Sequence, residues 1–236
     1  MCGRIVLHTP PLQLALRLGM SREDLEERWA DPNYWLPSWN VGPMRRILGI
    51  RADDDGHRQL DDYRWGLVPS WAKDPKIGNR AFNARAETVA TKPMFRSAFK
   101  KQRILVPVDA FYEWKKLDPK TKQPYAFTRA DGEPIVFAGL REWHAPFEEG
   151  GPELRTATII TTEAGPDMPI HDRQPVVLEP ETWEMWLDPA NDDVGELESL
   201  LRPTEAGTLV HYPVSRDVGN VRNDGPALVE ELVSGS

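Results

Sequence analysis

The sequence has little cysteine: Cys2 is the one thiol among 236 residues. A single cysteine excludes an internal disulfide framework and any zinc cluster built from several cysteines. The chain has no run of about 18 apolar residues, so no membrane span is predicted. Its start lacks the basic and apolar segments of a signal peptide. We therefore expect a soluble, cytoplasmic protein.

Cofactor and metal motifs are missing as well. The chain contains neither the Gly-x-Gly-x-x-Gly motif of dinucleotide-binding folds nor the Gly-x-x-x-x-Gly-Lys-Ser/Thr motif of P-loop enzymes. No pair among the five histidines has the spacing of metal ligands. We predict no metal and no cofactor. Repeats and linker-like segments are also missing, so residues 1–236 are predicted to form one domain. Residues 221–236 are predicted to be its C-terminal tail, with flexible last residues.

The net charge of −8 argues against nucleic acid as a partner, but the charges are unevenly distributed. Residues 64–122 hold 14 Lys and Arg against 5 Asp and Glu, whereas the whole chain holds 29 against 37. Such asymmetry can build a basic face for nucleic acid on an acidic body. A solvated basic surface without a ligand is the alternative, and charge alone does not decide between them.

Nine Trp, seven Phe and five Tyr in a chain that is 40 % hydrophobic are ample for a buried core. The hydrophobic patterns predict an α+β fold, a single domain with a curled, barrel-like, mostly antiparallel sheet flanked by short helices. The predicted strands are residues 2–7, 45–51, 60–67, 103–108, 110–116, 125–129, 134–140, 156–162 and 209–214. The predicted helices are residues 12–18, 21–29, 84–90, 94–100, 182–187 and 195–201, and residues 31–43 are predicted to be a loop.

Cys2 becomes the first residue if Met1 is removed, and its small side chain favours that processing. The product carries an α-amine and a thiol on adjacent carbons, with ordinary pKa values of about 7.7–8.0 and about 8.5. The amine can attack an aldehyde to give an imine, and the thiol can then close a five-membered thiazolidine. The alternative is a small buried hydrophobe at the start of a strand. Position alone leaves both interpretations open.

Five other residues are of types that suit chemistry or binding. Asn83 and Arg85 can hold a polar group and a phosphate, although a helix cap with surface charges is an alternative. Glu113 lies among three aromatic residues, where an inward orientation would raise its pKa and an outward one would not. His171 lies between two prolines and has the most functional context of the histidines. Trp71, in a loop beside basic sequence, is a candidate platform for a nucleobase.

These segments belong to a set of motifs that occur in one order along the chain. They are Met1-Cys2-Gly3-Arg4, Asn40-Val41-x-Pro43, Trp65-Gly66 with Pro69 and Trp71, Asn83-Ala84-Arg85 with Glu87-Thr88, Phe111-Tyr112-Glu113-Trp114, His171-Asp172-Arg173, and Pro213-Val214-Ser215-Arg216 with Val218-Gly219-Asn220. In this order they resemble a bacterial member of the SRAP (SOS response-associated peptidase) family nearly from end to end.

The resemblance implies covalent capture of abasic sites in single-stranded DNA through a thiazolidine at Cys2, after Met1 leaves by self-cleavage or another route. It also implies autoproteolytic and lyase-like activity in a monomer that associates with the nucleoid. Asn83 would position the opened sugar or the cysteine backbone, Glu113 would manage protons, and His171 would assist sugar opening and reversal. The implied DNA contacts are Arg4, Arg85 and Arg173 for phosphates, with Asn40, Pro43 and Trp71 shaping the path.

Two other functions compete with this one. A peptidase or amidohydrolase with Cys2 as N-terminal nucleophile is the first, although the chain lacks the Arg-His-Arg-Gly-type continuation of glutamine amidotransferases. A single-stranded DNA-binding module with a structural cysteine is the second. Such a module would form no covalent adduct with an abasic oligonucleotide, so mass spectrometry distinguishes it from a protein that captures abasic sites covalently.

Overall fold

The computed structural model describes residues 2–148 and 150–232, which form twelve strands and five short α-helices joined by 3-10 turns. The strands are β1 (Ile5–Leu7), β2 (Ser38–Val41), β3 (Arg46–Ala52), β4 (Arg58–Trp65), β5 (Asn83–Arg85), β6 (Arg103–Val108), β7 (Ala110–Lys116), β8 (Lys122–Arg129), β9 (Ile135–His144), β10 (Leu154–Glu163), β11 (Arg173–Pro175) and β12 (Leu209–Pro213). The α-helices are α1 (Pro11–Arg17), α2 (Ala86–Val89), α3 (Arg96–Lys101), α4 (Trp183–Leu187) and α5 (Val194–Ser199).

Five strands close into a barrel in the order β10-β4-β3-β6-β9, because β9 also pairs with β10. All of these pairs are antiparallel except β4 with β10. Two glycines let the interior close: a Cβ at Gly49 would lie 2.8 Å from the Tyr63 ring, and one at Gly139 would lie 2.7 Å from Val106. β5 and β11 extend the pairing along the C-terminal half of β10.

A second, antiparallel sheet has the order β12-β8-β7-β1-β2. Its inner face packs on the barrel core, where the Phe111 and Phe127 rings stack with centroids 4.9 Å apart. Its outer face carries Tyr112 in a smaller apolar cluster, covered by the C-terminal segment through Leu228. The first four residues of β7, Ala110 to Glu113, are therefore buried on both faces of the sheet.

The predicted α+β single domain with a barrel-like, mostly antiparallel sheet is confirmed. The helix predicted over residues 21–29 is wrong, because only the 3-10 turn Glu27–Ala30 forms there. The Trp29 indole donates to the Leu60 carbonyl at 3.2 Å, and this contact with β4 fixes the turn. The loop predicted over residues 31–43 contains β2, and the helix predicted over residues 84–90 begins as β5.

The described part of the C-terminal segment packs against the outer face of the second sheet. Leu228 is buried in the outer cluster, and the backbone N–H of Leu232 donates to the Pro213 carbonyl at 2.8 Å. The predicted flexible end, residues 233–236, lies outside the described residues. Among the helices of residues 2–148 and 150–232, none has the length and apolar character needed to cross a membrane.

Candidate active site around Cys2

Cys2 lies just before β1, with 0 % of its surface exposed. The Asn83 side-chain amide donates to the Cys2 carbonyl at 2.6 Å, and the backbone N–H of Arg4 donates to its sulfur. Burial, and then the nearby charge of Glu113, raise the pKa of the Cys2 thiol well above its ordinary value. The thiol is therefore protonated at neutral pH, and reaction through sulfur needs a proton acceptor close by.

Glu113 is that neighbouring group, and it is 3 % exposed. The alternation along β7 places it on the inner face with Phe111, while Tyr112 points into the outer cluster. The backbone N–H of Tyr112 donates to the Arg4 carbonyl at 2.9 Å, which brings this part of β7 beside the start of β1. The inward orientation, which the pattern alone left open, is the one that the structure adopts.

The pKa of Glu113 is raised by burial, and the charge of His171 acts against that rise. Glu113 is thus close enough to interact electrostatically with both Cys2 and His171. A carboxyl with a raised pKa beside a buried thiol is suited to accept and return protons. This convergence is the main reason to place the candidate site here.

His171 is half-buried in the segment between β10 and β11. Its Nδ1 accepts the backbone N–H of Arg173 at 3.0 Å, and it lies 2.8 Å from the Asp172 carboxylate. These two contacts, both made by Nδ1, fix the orientation of the imidazole ring.

Arg173 is held by a partner that the sequence did not assign. Its guanidinium donates to both oxygens of Glu87, at 2.7 and 3.0 Å, and to the Thr161 carbonyl at 2.7 Å. This pairing, offset in part by burial, lowers the pKa of the Glu87 carboxyl. The predicted phosphate contact of Arg173 stays a prediction, and its structural effect is to fix the segment that carries His171.

Asn83 comes from β5, which pairs in parallel with β10 at Ile159. Its Nδ2 donates a hydrogen bond to the Cys2 carbonyl, whereas its buried Oδ1 has no hydrogen-bond partner among the described residues. A buried amide oxygen without a partner is costly unless a ligand or water satisfies it. The structure brings Asn83 to Cys2, and its acceptor is available for a substrate hydroxyl.

Arg4 and Asn40 lie on the other side of Cys2 and form one unit. The Arg4 guanidinium donates to the Asn40 side-chain oxygen at 2.7 Å and to the Val218 carbonyl at 3.2 Å. The Asn40 amide nitrogen lies within 2.8–3.3 Å of three carbonyls, those of Val218, Asn220 and Asn223. Asn40 is buried, so it orients Arg4 and the 218–223 segment, and its predicted contact with DNA stays a prediction.

Three predicted DNA contacts lie at the surface. Trp71 is 58 % exposed, whereas Trp65 is fully buried. Arg85 is exposed and Pro43 is half-buried. Their roles in binding stay predictions, as do the catalytic roles of Cys2 and its neighbours.

Three cavities have linings that do not include Cys2. They measure about 540, 450 and 380 Å³, and Trp35, Arg64 and Arg202 are among their respective lining residues. None of these three linings contains a thiol or an imidazole, so the titrating groups at Cys2 are the stronger indication of a site. Within residues 2–148 and 150–232, no group of three or more His, Cys, Asp or Glu side chains is arranged to hold a metal ion.

Comparison with known proteins adds independent information. The family model of the SOS response associated peptidase (SRAP) matches residues 1–221. Abasic site processing protein YoqW of Bacillus subtilis is 42 % identical over 232 residues, covering 98 % of this chain and 99 % of that protein. Abasic site processing protein YedK of Escherichia coli is 34 % identical over 218 residues, covering 91 % and 94 %. Abasic site processing protein HMCES of Gallus gallus is 34 % identical over 261 residues, covering 96 % and 76 %.

A solved protein structure from Bacteroides thetaiotaomicron is similar to this fold with a TM-score of 0.80 at 24 % identity, covering 98 % of this chain and all of that one. The structure of a phage-related protein from Bordetella bronchiseptica has a TM-score of 0.68 at 30 % identity, covering 91 % and 95 %. These similarities extend over nearly the whole fold, so they include the elements that surround Cys2.

Proposed function

The chain belongs to the SOS response associated peptidase (SRAP) family, and on this premise we propose that it captures abasic sites in single-stranded DNA through a thiazolidine at Cys2. Its relatives are named abasic site processing proteins, which supports abasic DNA as the substrate class. The observation that carries the proposal is the convergence of the buried Cys2, the raised pKa of Glu113 and the nearby His171.

The chemistry starts with hydrolysis of the bond between Met1 and Cys2, which consumes one water and releases the α-amine of Cys2. The amine adds to the C1′ aldehyde of the opened sugar, and loss of one water gives a protonated imine. The thiol of Cys2 then adds to the imine carbon, forming a carbon–sulfur bond, while its proton leaves. Capture by the neutral amine releases one water and no net proton, whereas capture that starts from the α-ammonium releases one water and one proton; in both cases nothing is oxidised or reduced.

Glu113 is proposed as the group that moves these protons. Its carboxylate accepts a proton from the α-ammonium, returns one to the departing hydroxyl of the carbinolamine, and accepts the thiol proton at ring closure. A carboxyl performs such transfers best when its pKa is near the working pH, and burial moves the pKa of Glu113 in that direction. The buried thiol needs this acceptor because its own pKa is raised.

His171 and Asn83 are proposed to act on the sugar. An abasic sugar is mostly a closed ring, and the imidazole of His171 can donate a proton to the ring oxygen as the ring opens to the aldehyde. The same group assists the reverse reaction, which consumes one water and regenerates the aldehyde and Cys2. The lyase-like activity that the family resemblance implies stays a prediction. Asn83 holds the Cys2 carbonyl, and its unpartnered Oδ1 can accept a sugar hydroxyl.

The DNA contacts follow from charge and exposure. Arg4, Arg85 and Arg173 are proposed to bind flanking phosphates, with Arg4 held in place by Asn40. Arg173 must then share its charge between a phosphate and Glu87. Trp71 offers an exposed ring on which a base can stack, and such stacking does not depend on sequence.

Capping the aldehyde tests this function. The protein is mixed with uracil-glycosylase-treated single-stranded DNA, and with the same DNA after its aldehyde is capped by methoxyamine. We expect an adduct that survives denaturing electrophoresis with the uncapped strand and none with the capped strand. Equal adduct with both strands would contradict aldehyde chemistry. No adduct from protein that has lost Met1 would favour amide hydrolysis at Cys2 instead.

A further inference from the structure

A pocket far along β10 from Cys2 carries more positive charge than its carboxylates can neutralise. It is about 240 Å³ in volume, and its basic lining residues are Arg51, Arg141 and Arg155, which together we call the arginine pocket. The carboxylate of Asp61 lies among them and accepts from Arg51 at 2.8 Å and from Arg155 at 2.9 Å. The same carboxylate also accepts from Arg28 at 3.3 Å, so one negative charge is shared by three arginines.

Arg141 is not among the three arginines that donate these hydrogen bonds to Asp61. Its Nε is buried and has no hydrogen-bond partner among the described residues. Burial lowers the pKa of Arg141, and the charge of Arg51 acts in the same direction. Burial also raises the pKa of Glu142, the second carboxyl of the pocket, which disfavours its negative form. An anion entering here gains attraction to three guanidinium groups.

The pocket has an aromatic rim. Trp143 is 47 % exposed, and the Arg155 guanidinium lies 5.0 Å from the centre of its ring. Cations beside an exposed aromatic face are the combination that single-stranded nucleic acid uses, with phosphate on the cation and base on the ring. An inorganic anion needs no such platform, so the rim favours a nucleotide unit as the ligand.

The pocket is connected to the loop that carries Trp71. The Glu142 carboxyl accepts the backbone N–H of Ser70, and the His144 Nε2 lies 2.8 Å from the Ala72 carbonyl. Trp71 is therefore held against β9 from both sides, next to the pocket. β10 provides the other connection. Arg155 is its second residue, and Thr161, whose carbonyl accepts from Arg173, lies six residues further along the strand, or roughly 20 Å.

We propose that the arginine pocket binds a backbone phosphate of the DNA strand beyond Trp71, roughly 20 Å from the abasic nucleotide. This inference rests on the proposed function in one respect, which is that the abasic nucleotide lies at Cys2 and the strand runs from there past Trp71. The pocket and its charge do not depend on the chemistry of Cys2. The site extends the DNA contact past the residues next to Cys2. Its consequence is that affinity depends on strand length on one side of the abasic position.

The test uses non-covalent binding, so that it is independent of crosslinking. Each single strand carries a tetrahydrofuran analogue of the abasic sugar, which has no aldehyde, at one of its ends. In the short strands the DNA extends from the analogue for a few nucleotides, and in the two long strands it extends well beyond roughly 20 Å, on the 5′ side in one and on the 3′ side in the other. Fluorescence anisotropy compares wild type with the Arg141→Gln, Arg155→Gln double variant. Asp61 keeps Arg28 and Arg51 in that variant. Arg202→Gln, an exposed arginine outside the pocket, is the matched control for the removal of charge.

We expect the double variant to bind one of the long strands roughly fivefold more weakly than wild type does. The slope of the logarithm of the binding constant against the logarithm of the salt concentration should become less negative, by about 0.7 for each phosphate that the variant no longer neutralises. Binding of the short strands, and the rate of adduct formation on short abasic DNA, should stay at the wild-type level, which also shows that the variant is folded. The Arg202→Gln control should match wild type on every strand.

Two results would overturn the inference. Equal affinities of wild type and double variant for both long strands would remove the pocket from the DNA path. Tight binding of deoxycytidine monophosphate that the double variant loses, without any effect of strand length, would make the pocket a site for free nucleotides. Failure of adduct formation in wild type would contradict the proposed function while leaving this comparison intact.

Discussion

Replacement of Cys2 by alanine should remove the heat-stable adduct with abasic DNA, a loss of at least about a hundredfold. The thiol supplies the bond that closes the thiazolidine, and no other cysteine is present to replace it. Alanine is small and fits the space of a buried cysteine, so the fold should persist. The measurement is denaturing electrophoresis of protein mixed with uracil-glycosylase-treated single strands, with wild type alongside.

Borohydride separates the two nucleophilic groups of residue 2. Cys2→Ala still exposes an α-amine once Met1 is removed, so reduction should trap its imine with the DNA. A trapped adduct with borohydride and none without it assigns ring closure to the sulfur. A heat-stable adduct from Cys2→Ala without borohydride would show that another group of the protein attacks the sugar.

Replacement of Glu113 by glutamine should slow adduct formation by about 10²- to 10⁴-fold, the range typical of removing a proton-transfer group. The amide has nearly the same shape, so affinity for a tetrahydrofuran-containing strand should change little. Glu184→Gln, which changes an exposed carboxylate on α4, is the matched control and should react like wild type. Equal losses of affinity and of rate in Glu113→Gln would assign Glu113 to architecture rather than to proton transfer.

The same substitution has a predicted effect on stability, with a defined sign. The folded protein holds the Glu113 proton more tightly than the unfolded chain, because burial raises the pKa above its ordinary value of about 4.3. Ionisation of Glu113 therefore destabilises the fold as pH rises from that value through the raised pKa. Glu113→Gln should raise the melting temperature at pH 8, and the gain should shrink toward pH 4. Melting curves at the two pH values test this prediction.

Local patterns predicted most strands, because their alternation and turn residues are encoded over a few positions. They did not predict β2, since Ser38–Val41 becomes a strand by pairing with β1, which is distant along the chain. The helix expected over residues 21–29 failed for a related reason: contacts of Trp29 with β4 override a helical pattern. Closure of the barrel through the β9–β10 pair is likewise a property of the folded chain.

At the candidate site, too, the sequence predicted which residues matter but not how the fold arranges all of them. The motif order identified the family, which the whole-chain similarities confirm, and it named Cys2, Asn83, Glu113 and His171. The direction of Glu113 was open because an alternating strand gives no sign of which face is inner. Burial of β7 on both faces resolves it.

Two partners at the site come from distant segments. Glu87 belongs to one of the sequence motifs, but its pairing with Arg173 joins α2 to β11 across the fold. The three carbonyls held by Asn40 come from residues 218–223, and no local signal marks them. Asn40 orients Arg4, and its predicted contact with DNA stays a prediction. A monomeric state and association with the nucleoid stay predictions.

The central claim is covalent capture through a processed Cys2, and intact mass measures it most directly. The purified protein is weighed before and after it is mixed with uracil-glycosylase-treated single-stranded DNA. We predict a chain that lacks Met1, and an adduct whose mass is the sum of protein and DNA less one water. A chain that lacks Met1 and stays at its own mass with excess abasic DNA would contradict the account.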